Sequence, residues 1–80
     1  MDSNVAVIVI FVKNLDSVEK LNSILSEYGE SIIGRMGVPH HNKKVNIISI
    51  TIDASKETVE TLSKKIKELD GVVSNTIYCE

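Results

Sequence analysis

The feature that most constrains this chain is an internal repeat. Val18, Leu21, Leu25 and Tyr28 recur as Val59, Leu62, Ile66 and Leu69, every residue displaced by the same number of positions. Both sets follow helical spacing, so each lays one apolar stripe along one helix. Each stripe is flanked by apolar extended segments. Val5 to Val12 is β-branched almost throughout and apolar at both parities, which reads as a strand buried on both faces. Ser31 to Met36 reads as a short strand weakened by Gly34. Val45 to Ile52 alternates, with Ile48, Ile50 and Ile52 on one face and Val45, Ile47, Ser49 and Thr51 on the other. Val72 to Cys79 reads as the last strand.

Local signals punctuate these elements. Asp16 followed by Glu19 resembles a capping box at the first helix start, and Gly29 is placed to stop that helix. Ser55 can cap the second helix, Glu60 and Lys64 have the spacing of a helical ion pair, and Asp70-Gly71 ends it. The order strand–helix–strand, twice, predicts a single α+β domain over 1–80. Its fold is a ferredoxin-like βαββαβ sandwich, a four-stranded antiparallel sheet with two helices on one face. The first and third strands, the most apolar, belong in the centre.

That architecture leaves one sheet face bare, yet Val5 to Val12 is apolar at both parities, and Val45 and Ile47 join on the outer side. A bare apolar face marks an interaction surface. A domain of this size buries only about 60% of its unfolded surface, so a partner adds needed burial. Homo-oligomerisation, face to face or edge to edge, is therefore expected over a monomer.

Several functions are disfavoured by what is missing. A net charge of −2 argues against direct nucleic-acid binding, which is normally met by a basic excess. The start lacks the basic region of a secretion signal. The apolar run Val5 to Val12 is shorter than the ~20 residues a membrane helix needs. One cysteine, Cys79, permits no internal disulfide. A cytoplasmic protein with no membrane partner is expected. The first strand–helix loop, Lys13 to Ser17, holds no cysteine pair for a metal-chaperone site and no glycine or arginine for a phosphate cradle. Phe11 is the one ring available on the central strands, too few for RNA base stacking. No nucleophile–base set can be assembled by spacing, so neither an enzyme nor a cofactor is expected.

The stretch Gly34 to Lys44 departs from core character. Arg35 offers a planar fork for a carboxylate or phosphate, and Gly37 permits close approach by a partner. Pro39 stiffens the exit of an edge strand. Arg35, Gly37, Val38 and Pro39 are the candidate ligand-binding residues, for a small anionic effector or a protein partner. The competing reading is a twisted edge strand and a polar hairpin tip, with Arg35 paired to Glu27 or Glu30. His40 and His41 suggest metal, but neighbours on a strand point to opposite faces, and Lys43 and Lys44 repel a cation. A metal site there would need Cys79, Asp53 or another subunit, and no metal ligand is assigned.

With Arg35-Met36-Gly37-Val38-Pro39 placed at the end of the second strand, the chain resembles the small ACT-like proteins known as iron-only hydrogenase system regulators. The likeness runs through Val12 and Asn14, the Val18-Glu19-Lys20-Leu21 helix, Tyr28-Gly29, Gly34 to Pro39, and Gly71-Val72. An aromatic and a basic residue often follow the proline in that family; His40 and His41 follow it here. The resemblance implies a transcriptional regulator that acts as an oligomeric module binding an effector or a protein. An alternative is a metal sensor similar to the C-terminal domain of a nickel-responsive repressor.

Overall fold

The structure, a computed structural model, describes residues 3–79. Met1 and Asp2, which belong to the start read above for a signal, lie outside the described residues, as does Glu80. The elements are β1 (Ser3–Val12), a 3-10 turn (Leu15–Ser17), α1 (Val18–Glu27), β2 (Ile32–His40), β3 (Val45–Ser55), α2 (Lys56–Lys67) and β4 (Val72–Tyr78). The sheet order is β2-β3-β1-β4, with every pair antiparallel and the two most apolar strands in the middle. This is the ferredoxin-like arrangement that the repeat predicts.

Alternation along the strands sends Ala6, Ile8, Ile10 and Val12 of β1 and Ile48, Ile50, Ile52 and Ala54 of β3 under the helices. There they pack with Leu21, Leu25, Val59, Leu62 and Ile66. The opposite parity of β1 is not buried, contrary to the expectation of two covered faces: Val5 and Phe11 are 41% and 42% exposed. Among the described residues, no helix reaches that side.

Caps and turns differ in part from the sequence reading. Asp16 does not cap α1; its N–H donates to Asn14 Oδ1 (3.0 Å), and Asn14 caps the preceding 3-10 turn. Asn14, two residues earlier, takes the capping role because the chain enters α1 through that extra turn. α1 ends with Tyr28 as its C-cap, so Gly29 lies one residue beyond. Ser55 does cap α2, with Oγ accepting from the Thr58 N–H at 3.1 Å. The Glu60–Lys64 pair does not form; among the described residues the one ion pair is Lys65 with Glu27, at 3.5 Å, between the helices. Both members of that pair are well exposed, so it contributes little.

A polar lock joins the two loops at one end of the sheet. The Ser17 hydroxyl donates to the Asp70 carbonyl (2.6 Å), Asn14 Nδ2 donates to Asp70 Oδ2 (2.7 Å), and the Lys13 N–H donates to the Gly71 carbonyl (2.7 Å). Gly71 has φ +69°, and a Cβ built there would lie 2.5 Å from Asn14 Cβ. Only glycine satisfies both the left-handed backbone and the close approach.

Candidate functional site

The second strand is longer than the sequence suggested. It runs from Ile32 through His40, past the expected end at Met36, so Gly34 to Pro39 forms the body of an edge strand. Polar residues, two glycines and a proline concealed it, because an edge strand has only one ladder to satisfy and tolerates proline where its nitrogen faces outward. A bulge lies between Ile32 and Gly34. The turn is His41 to Lys44.

Register places each candidate residue. Arg35, Gly37 and Pro39 lie opposite Ile50, Ile48 and Asn46 and therefore share the helix side of the sheet; Met36, Val38 and His40 lie opposite Ser49, Ile47 and Val45 on the open side. The four candidate ligand-binding residues come together. Arg35, Gly37, Val38 and Pro39 line one cleft with Val18, Asn46 and Ile48, of about 240 Å³, between the start of α1 and the edge of the sheet. Arg35 is not paired with Glu27 or Glu30. Its Nη2 donates to Asn22 Oδ1 on α1 at 2.6 Å, and Glu27 pairs with Lys65 instead. A neutral amide leaves the guanidinium charge uncompensated and the rest of its fork free to donate. Val18, Asn22, Asn46 and Ile48 were not singled out in the sequence. Their part depends on tertiary register, which no local pattern encodes.

The metal candidates are not gathered by one chain. His40 ends β2 beside Val45, while Cys79 donates its N–H to the Val5 carbonyl (2.9 Å), and Asp53 also lies opposite Val5. The histidines and the Cys79–Asp53 pair therefore occupy opposite ends of the sheet. Among the described residues no group of three or more His, Cys, Asp or Glu side chains converges. Cys79 is exposed and lines a second cavity of about 360 Å³ with Ser3, Asn4, Val5, Lys56 and Tyr78. Burial, and then the nearby Glu60 charge, push the Tyr78 phenol above its ordinary range.

The open face is the other notable surface. Across β2-β3-β1-β4 it carries the row Val38, Ile47, Phe11 and Val73, then Met36, Ser49, Val9 and Asn75, then Gly34, Thr51, Val7 and Ile77. Among the described residues, Asp53 and His40 are the only acidic or basic side chains that the register puts on it, both at its ends. Of the large apolar residues that remain exposed, Val5, Phe11, Met36, Val38, Val73 and Ile77 all lie here. Among the described residues no helix is long and apolar enough to cross a membrane.

The fold defines a small ferredoxin-like domain with one sheet face left bare by its helices. A family model matches residues 4–76, and the chain belongs to that family, the TM1266-like proteins, described as "Iron-only hydrogenase system regulator, putative". A solved structure of the same fold is the uncharacterized protein TM1266 from Thermotoga maritima. It superposes with a TM-score of 0.93 at 23% identity, over 98% of this chain and 99% of that one. No curated protein matches.

Proposed function

We propose that this protein is a regulatory module of the iron-only hydrogenase system that self-associates through its open sheet face and binds a small anionic effector or an anionic segment of a protein partner. The single observation that carries the binding site is the α1–β2 cleft. One uncompensated guanidinium stands there among Val18, Pro39 and Ile48, a setting for one negative charge on an apolar body. The family description supports the regulatory role.

The open face supports self-association by its area and its lack of charge. Four strands spaced by about 4.8 Å and some nine residues long give a footprint of roughly 19 by 30 Å. Two such faces together approach the ~1,200 Å² at which stable interfaces begin. Sheets packed in this way interdigitate side chains about 10 Å apart, and Phe11 at the middle of an apolar row is suited to anchor them.

Arg35→Ala should remain folded, because an exposed arginine bonded to an amide adds at most about 1 kcal/mol. It should lose binding of small carboxylates or phosphates screened by calorimetry, and replacing His40 and His41 with Ala should not. Binding that survives Arg35→Ala and disappears in the histidine variant contradicts the cleft reading and favours the metal sensor. Duplex DNA should not bind the isolated protein at physiological salt, given the acidic balance.

A further inference from the structure

The two edges of the sheet are not equally guarded. Natural edge strands are shielded by charges, prolines, bulges or short length. β2 has Arg35, Pro39 and a bulge near its start. β4 has no charge, no proline and no break in its register with β1. The Cys79 N–H reaches the Val5 carbonyl, so the odd-numbered residues of β4 bond inward to β1. The amides and carbonyls of Ser74, Thr76 and Tyr78 therefore point away from the sheet, on the side where it ends.

The second helix turns this edge into a groove. It runs antiparallel to β4, with Lys56 over the Tyr78 ring and the Ser63 hydroxyl bonded to that of Thr76. A cavity of about 410 Å³ lies between Glu60, Lys64 and Lys67 of the helix and Thr76 and Tyr78 of the strand. At Tyr78 it meets the cavity that Lys56 lines. Among the described residues Lys56, Lys64 and Lys67 have no ion-pair partner. Helix residues four apart rise by about 6 Å, close to the ~6.7 Å between alternate residues of an extended chain. Lys56, Glu60 and Lys64 thus present plus, minus, plus at strand spacing, with Lys67 reinforcing the last charge.

We propose that the β4 edge takes an extended segment of a protein partner as a fifth strand, with acidic side chains opposite Tyr78 and Ser74 and a basic one opposite Thr76. Ser74, Thr76 and Tyr78 lie opposite Ile10, Ile8 and Ala6 on the helix side of the sheet, so partner residues facing them turn toward the charged wall of α2. Main-chain bonds hold such a segment, and the side-chain charges select it. Charge complementarity also disfavours a second copy of β4 here. Its own helix-side residues, Ser74, Thr76 and Tyr78, are uncharged and offer Lys56, Glu60 and Lys64 no partner. The site lies at the opposite edge of the sheet from the Arg35 cleft and does not depend on it.

Residue-resolved amide exchange on the full chain tests it with two short capped peptides. One carries Asp, Lys and Asp at alternate positions among threonines and valines; the other carries Lys, Asp and Lys. The first should bind and slow exchange at the Ser74, Thr76 and Tyr78 amides. The second should bind more weakly. Replacing Lys64 and Lys67 together with Glu should weaken the first peptide by about tenfold and strengthen the second, while leaving the fold unchanged by circular dichroism. Absence of protection with either peptide at millimolar concentration overturns the proposal, as does equal binding of the two. Perturbation centred on Asn22 and Arg35 instead assigns the acidic peptide to the cleft and also overturns it. Protection of the β4 amides that grows with protein concentration, without peptide, gives the edge to a second copy and overturns the choice of partner.

Discussion

In the second half of the molecule, α2 lies against its own edge strand: the Ser63 and Thr76 hydroxyls bond to each other, and Lys56 stands over the Tyr78 ring at 5.9 Å. In the first half, α1 touches its edge strand through one side-chain bond, Asn22 with Arg35, and β2 stays exposed from Arg35 onward. The two halves share a helix pattern and a topology, so the difference is not imposed by the fold. The half that departs from self-sufficiency holds Arg35, Gly37 and the cleft. A repeat makes such a departure visible, because one copy shows what the other could have been.

A sharper contrast lies within β1, where consecutive residues face opposite layers. Ile10→Ala should cost about 2–5 kcal/mol in denaturant unfolding, since its side chain is fully buried under both helices. Phe11→Ala should leave the folded subunit's stability within about 1 kcal/mol and lower the oligomer's concentration dependence of melting instead. Equal losses of subunit stability at the two positions would show that the open face is not a separate surface.

Gly71→Ala strikes where the halves are joined. The alanine would carry a left-handed backbone and push its Cβ into Asn14, so a loss of about 1–3 kcal/mol is expected. A near-neutral effect in the same unfolding measurement would mean that the loop lock is slack. Gly37→Val should behave in the opposite way. In a monomeric background it should be neutral or stabilise by up to about 1 kcal/mol, because a β-branched residue suits an edge strand with open space around it. Marked destabilisation there would reveal an internal reason for Gly37.

The sequence made much of this readable for a physical reason. Helix stripes such as Val59, Leu62 and Ile66, and the alternation of Ile48, Ile50 and Ile52, are local records of burial. The Ser55 cap is a local record of an unpaired helix end. The full extent of β2 was hidden because Gly34, Gly37 and Pro39 mimic a loop, and an edge strand is selected by what it avoids as much as by what it packs. Arg35 was singled out by chemistry alone. Its actual partner, Asn22, and the cleft walls Val18 and Ile48 follow from register between distant segments, as does the separation of His40 and Cys79.

The central claim is that the open face of the sheet is where copies of this chain meet. Sedimentation of the unmodified protein beside Val9→Lys tests it most directly, because Val9 lies mid-face on a central strand and points away from the core. A lysine there is hydrated in a free subunit and buried without a partner charge in an assembly. The account predicts an oligomer for the unmodified chain and a folded, smaller species, with unchanged circular dichroism, for the variant. An unmodified protein that sediments as a monomer at high micromolar concentration, or a variant that unfolds, would contradict it.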